Sequence, residues 1–95
     1  MSAGQITQGR RIYPDVAGVV RLQAPGDYGF VPAQGYWYVW IPRGLRPTRI
    51  KHNVVENDDA TITVSPSILW DSSCDPNHPE SWWHGYLERG VWREV

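Results

Sequence analysis

The chain of 95 residues holds a single cysteine, Cys74. One thiol excludes an intrachain disulfide, so nothing covalent reinforces a domain of this size. A lone cysteine also fits a reducing interior better than an oxidising compartment. Long apolar runs are missing too. No stretch approaches the roughly 20 apolar residues of a membrane span. Met1 to Arg11 lacks the apolar core of a secretory leader. These absences give the expectation of a soluble protein, cytoplasmic in a host cell or associated with a virion. A charge excess of either sign is absent as well. The net charge is −1, which gives no global attraction to nucleic acid. Lysine is nearly absent: Lys51 stands against eight arginines. Positive charge is therefore carried by a group suited to bidentate contacts with phosphate or carboxylate and to stacking on rings. Finally, no segment keeps a 3.6-residue apolar period over three turns. Eight prolines and nine glycines further exclude long helices.

What remains is strand and turn chemistry, dense in aromatic residues. Met1 to Arg11 is polar and reads as a flexible N-terminal arm, with residues 12–95 forming one β domain. Asp15 to Gln23, with Val16, Val19, Val20 and Leu22, reads as a first strand. Ala24 to Gln34 is turn-rich. Tyr36 to Ile41 alternates strongly, placing Trp37, Val39 and Ile41 on one face and Tyr36, Tyr38 and Trp40 on the other. Thr48 to Glu56 reads as one strand, joined by a turn at Asn57-Asp58-Asp59 to Thr61–Ser65 as a hairpin with Ile62 and Val64 inward. Pro66 is expected to break that strand, with Ser67 to Trp70 continuing beyond a kink. Ser81–Leu87 and Val91–Val95 form a last hairpin turning at Glu88-Arg89-Gly90. The expected fold class is all-β: a small single-domain sandwich or partly open barrel of about six short strands.

The run TITVSPSILW (Thr61–Trp70), followed by WHGYLERGVW (Trp83–Trp92), resembles a family of small proteins from bacteria and their phages and prophages. The likeness spans roughly residues 36 to 95 and carries no assigned activity. It implies a phage-associated protein. Other members carry a cysteine-rich segment in the first half and a cysteine three residues before the tail histidine, which implies a zinc site. In this chain the first-half segment is YWYVWIPRG, without cysteine, and the position three before His84 is Ser81.

Three constellations carry chemistry. Cys74, His78 and His84 have the residue types of a zinc site, with Asp71, Asp75 or His52 available as a fourth ligand, but structural zinc favours two close ligand pairs. Cys74 with His78 or His84 and an aspartate has the composition of a nucleophile–base set, although no activating signature surrounds the thiol. Tyr36, Tyr38 and Trp40, followed by Arg43, Arg46 and Arg49, form the composition of an aromatic–arginine surface: rings stack on bases while arginines neutralise phosphates. Of Trp82 and Trp83, neighbours on a strand, only one can face the core. The other, with His84, is left for a partner or ligand. The leading expectation is a binding protein without catalysis or cofactor. It acts on a protein or nucleotide-like partner as an anti-host factor or virion component, and it forms a homo-oligomer or part of a larger assembly. The alternatives are a degenerate zinc module and a hydrolase using Cys74 and His84.

Overall fold

A computed structural model describes residues 5–95. The fold is all-β, as expected, but with nine strands in place of six: β1 Ile6–Gln8, β2 Arg10–Arg11, β3 Asp27–Val31, β4 Tyr36–Val39, β5 Thr48–Arg49, β6 Asn53–Glu56, β7 Ile62–Trp70, β8 Trp83–Glu88 and β9 Val91–Glu94. They form two sheets, ordered β1-β9-β8-β7-β6 and β2-β3-β4-β5. The sheets do not close into a barrel. Among the described residues no helix is long and apolar enough to cross a membrane.

The chain changes sheet twice. Between β1 and β2 only Gly9 intervenes, and its N–H donates to the Gly90 carbonyl at 2.8 Å. Ile50 to His52 then carries the chain from β5 back to β6. The single strand expected over Thr48–Glu56 is therefore two short strands in different sheets. Isoleucine 50, 7% exposed, anchors the crossing in the core.

The pleat explains which residues are inside. Ile62, Val64 and Ile68 of β7, Trp83 and Leu87 of β8, and Trp92 of β9 meet Tyr28 and Val39 from the other sheet and Ile41 just after β4. Val39 and Ile41 are buried and Trp37 packs against the same cluster, as the alternation of Tyr36–Ile41 predicts. Trp92 is fully buried, stands edge-on to Trp83 with ring centroids 5.4 Å apart, and donates its indole N–H to the Gly26 carbonyl at 2.9 Å. That hydrogen bond reaches from β9 to the turn that opens β3, so one side chain ties the two sheets.

Three expectations are corrected. Residues 6–8 and 10–11 are not an arm: they pair with β9 and, in parallel, with β3. The exposed edges of β9 and β3 offer unpaired N–H and C=O groups that a polar segment satisfies as well as an apolar one. Residues 1–4 of the expected arm lie outside the described residues. Asp15–Gln23 forms no strand. The Asp15 carboxylate accepts the N–H groups of Ala17 and Val19 at 2.9 and 3.0 Å, curling the backbone into a turn. Pro66 does not end β7. The register with β8 shifts between Val64 and Ile68, and a proline without an N–H is tolerated where the ladder is irregular.

Asp27, 3% exposed, fastens β2 to the turn before β3. Its carboxylate accepts Arg10 Nε and Nη2 at 3.2 and 3.1 Å and the N–H groups of Gln23 and Ala24 at 2.8 and 3.1 Å. Burial pushes this carboxyl up, but the guanidinium and the two N–H groups outweigh burial and hold it below its ordinary value of 3.8. A depressed folded pKa contributes stability above the unfolded value and loses it as pH falls through the folded one. Stability is therefore expected to decline on acidification below about pH 4. Asp27→Ala is expected to cost about 1–3 kcal/mol at neutral pH and to flatten that decline. Urea melts at pH 7 and pH 3 check both, and an unchanged acid limb in the variant would show that other carboxylates govern it.

Candidate functional site

The surface residues singled out from the sequence do not form one surface. Trp83 is 4% exposed and belongs to the core, so its place in a binding set is withdrawn: β8 alternates, and position 83 shares the inward face with Leu87. Trp82 takes the outward position, and its indole N–H donates to the Asp75 carbonyl at 2.9 Å. His84 is exposed, with Nε2 3.0 Å from the Ser67 hydroxyl. Trp40 is half-buried and donates to the Gly44 carbonyl at 2.8 Å, closing its own loop.

The three arginines diverge. Arg43, at φ 64°, directs its guanidinium to both oxygens of Glu94 at 2.8 Å and to the Trp82 carbonyl at 2.8 Å. That hydrogen bond to Arg43 holds Glu94 below the usual carboxylate range. Arg46 lies over the Trp70 ring, 5.6 Å from its centroid, and 3.7 Å from Asp75. Only Arg49 joins the tyrosines. It sits opposite Tyr38 in the β4–β5 register and over the Tyr36 ring at 4.6 Å, and the Tyr36 and Tyr38 rings are 5.5 Å apart.

The histidine and cysteine candidates also separate. Cys74 is exposed. His78 Nδ1 lies 3.0 Å from Asp75 Oδ1, a hydrogen bond that raises the imidazole above its ordinary value. His84 is engaged with Ser67 instead. Among the described residues no three His, Cys, Asp or Glu side chains gather as a metal-binding group.

A different set does converge. At the mouth of the sandwich, beside the Ile50–His52 crossing, lies a cleft of about 500 Å³. Phe30, Tyr36 and Trp37 supply aromatic walls, and Arg49, Lys51 and His52 supply the basic groups. No carboxylate lines it. Phe30 and Trp37 are register partners whose rings contact at 5.4 Å, so the wall is continuous. His52 Nε2 is 3.1 Å from the Ser67 carbonyl. A carbonyl only accepts, so this nitrogen carries the hydrogen.

Electrostatics single this cleft out. Arg10 pairs with Asp27, Arg11 with Glu56, Arg21 with Asp15, Arg43 with Glu94, Arg46 with Asp75, Arg89 with Asp58 and Asp59, and Arg93 with Glu88. Among the described residues, Arg49 and Lys51 alone of the arginine and lysine side chains have no carboxylate within 4.0 Å, and both line the same cleft. Sequence reasoning put Tyr36 and Arg49 on a binding surface and did not add Trp37, Lys51 or His52 to it. The alternation of Arg49 and Lys51 around Ile50 was the available signal, since it places both on the side away from the core. Which arginines would be neutralised was not available, because their partners lie as far as 51 residues away. No protein-family model, curated protein or solved structure matches the chain.

Proposed function

We propose that this chain is a non-enzymatic, phage-associated binding protein whose sandwich-mouth cleft takes a nucleotide-like ligand. The observation that carries this reading is the coincidence of the two unneutralised cations with three aromatic side chains in one open cleft. A base stacks on the Tyr36 ring, and a phosphate is held by Arg49 and Lys51. Arg49 now rests on Tyr36, a cation–π contact of about 0.5–1 kcal/mol at an exposed site, which a phosphate outcompetes with a charge-assisted hydrogen bond. The lining provides groups that hold and stack, and no carboxylate or thiol to attack what is held. The likeness of Thr61–Ile68 and His84–Trp92 to bacterial and phage proteins supports the phage association.

The test is a titration followed by tryptophan fluorescence, with Trp37 in the cleft as a reporter. A nucleoside 5′-monophosphate is expected to bind at least about tenfold more tightly than the same nucleoside, since a charge-assisted contact contributes about 1.5–3 kcal/mol. Arg49→Ala is expected to remove that difference while leaving the melting temperature nearly unchanged. Added salt is expected to weaken the nucleotide and spare the nucleoside. Equal affinities for nucleotide and nucleoside would defeat the proposal.

A further inference from the structure

A second cleft, of about 470 Å³, lies on the outer face of the β2–β5 sheet. It exists because of Gly29. A Cβ there would fall 2.6 Å from the Ile12 carbonyl oxygen and 2.7 Å from Val20 Cγ1, so the bare backbone lets the segment after β2 lie across the sheet. The turn built on Asp15 fixes the shape of that segment. The resulting walls are aliphatic: Val20 and Leu22 from the segment, Val31 and Pro47 from the sheet and its border. Polar side-chain groups come from Tyr38 and Gln34 alone, joined by a long hydrogen bond of 3.4 Å from the phenol to Oε1. Among the described residues the Gln34 amide nitrogen donates to no other group. Apolar walls with one or two convergent polar groups, at a few hundred Å³, are the usual make-up of a small planar ligand's pocket.

The two clefts adjoin. Tyr36 lines the first and Tyr38 the second, and their rings touch at 5.5 Å. Two residues along a strand separate their Cα atoms by about 6.6 Å. Arg49 belongs to both neighbourhoods, opposite Tyr38 in register and over Tyr36. An unneutralised cation therefore stands where an aromatic-walled cleft meets an apolar one.

Resting on the nucleotide reading above, we infer that the ligand is a single-stranded nucleic acid and that the outer cleft holds a second base. The first base stacks on Tyr36 and the linking phosphate sits on Arg49. The next base enters between Val20, Leu22 and Pro47, with its polar edge toward the Gln34 amide. A mononucleotide fills the first cleft only.

Titrations of the full chain with thymidine 5′-monophosphate and with a six-residue thymidylate oligonucleotide, at one salt concentration, separate the two ideas. The oligonucleotide is expected to bind at least tenfold more tightly. Its affinity is expected to fall with salt at a slope of about −0.7 per phosphate neutralised, hence about −1.4 for contacts by Arg49 and Lys51. Ala33 also lines the outer cleft, and Ala33→Leu narrows it. This variant is expected to bring the oligonucleotide to the affinity of the mononucleotide and to leave the mononucleotide itself unchanged. Gln34→Ala, at an exposed position whose Oε1 accepts only a long hydrogen bond from Tyr38, is expected to weaken the oligonucleotide alone by about twofold, the value of a neutral hydrogen bond at the lower end of its range. Equal affinities for both ligands, or an oligonucleotide advantage that survives both variants, would overturn the second-base site and leave the nucleotide reading standing. Binding of neither ligand would overturn both.

Discussion

Trp92→Ala is expected to leave the chain largely unfolded at 37 °C. Truncating a buried tryptophan costs about 3–5 kcal/mol through lost transfer energy and the cavity left behind. Here two further losses add to it. The edge-on contact with Trp83 disappears, and the Gly26 carbonyl loses its buried N–H donor. Small domains have only about 5–15 kcal/mol to lose, and each kcal/mol shifts a domain of this length by about 4–8 °C. A melting temperature lower by well over 10 °C is therefore expected in thermal scans followed by circular dichroism. Trp92→Phe keeps most of the ring but not the N–H, and a loss of about 1 kcal/mol is expected, since the Gly26 carbonyl keeps the longer hydrogen bond from the Arg10 N–H at 3.3 Å. Trp82→Ala, just before the same hairpin and facing outward, is the contrast: a loss of about 1–2 kcal/mol, for one partly exposed ring and one hydrogen bond. If Trp92→Ala and Trp82→Ala melted alike, the buried tryptophan would not be the tie between the sheets.

Gly85→Val is the second large effect. Gly85 lies on the inward face of β8 between Trp83 and Leu87, opposite Ile68 and Glu94. A Cβ at this position would collide with the Arg93 carbonyl oxygen and lie 2.6 Å from Trp83 Cη2 and 2.9 Å from Glu94 Cα. Two of these three obstacles are backbone of the neighbouring strand, and the third is a core ring that packs on Trp92. None is the free end of a flexible side chain. Ordinary overpacking costs about 1–3 kcal/mol. Displacing a paired strand breaks ladder hydrogen bonds as well, so a loss of at least about 3 kcal/mol is expected, with β9 and β1 released together. Urea denaturation checks the size of the loss. Hydrogen exchange checks its place, since amides of β8 and β9 are expected to lose protection before those of β3 and β4. A variant with the parent's urea midpoint would mean that the hairpin yields more readily than its packing implies.

These effects also explain why binding variants can be read cleanly. Arg49 and Lys51 are exposed and lie at the crossing between sheets, with their charged ends away from the core. Replacing them alters a ligand's electrostatics and little of the fold. Arg43 is the opposite case. Its bonds to Glu94 and to the Trp82 carbonyl join the loop after β4 to β9 and to the residue before β8. It resembled Arg49 in the sequence, yet its replacement is a change of structure.

The grouping of residues by strand face, the all-β class and the separation of Trp82 from Trp83 were legible in the sequence because each rests on local alternation. A pleated strand sends neighbours to opposite faces whatever its partner. So Trp37, Val39 and Ile41 were set against Tyr36 and Tyr38, and Ile62 against Thr63, before any pairing was known. Several features required the tertiary structure. The polar residues 6–8 and 10–11 are strands because β9 and β3 present open edges to them. Val16 to Leu22 has strand composition, but Asp15 takes its N–H groups and Gly29 gives it a bare surface to cross. Thr48 to Glu56 has one continuous pattern and belongs to two sheets. Above all, eight arginines look equivalent along the chain, and seven are neutralised by carboxylates that folding brings beside them. Coulomb attraction acts over a few ångströms of space, not along sequence. Which cation is left for a ligand is therefore decided by where the other charges come to rest.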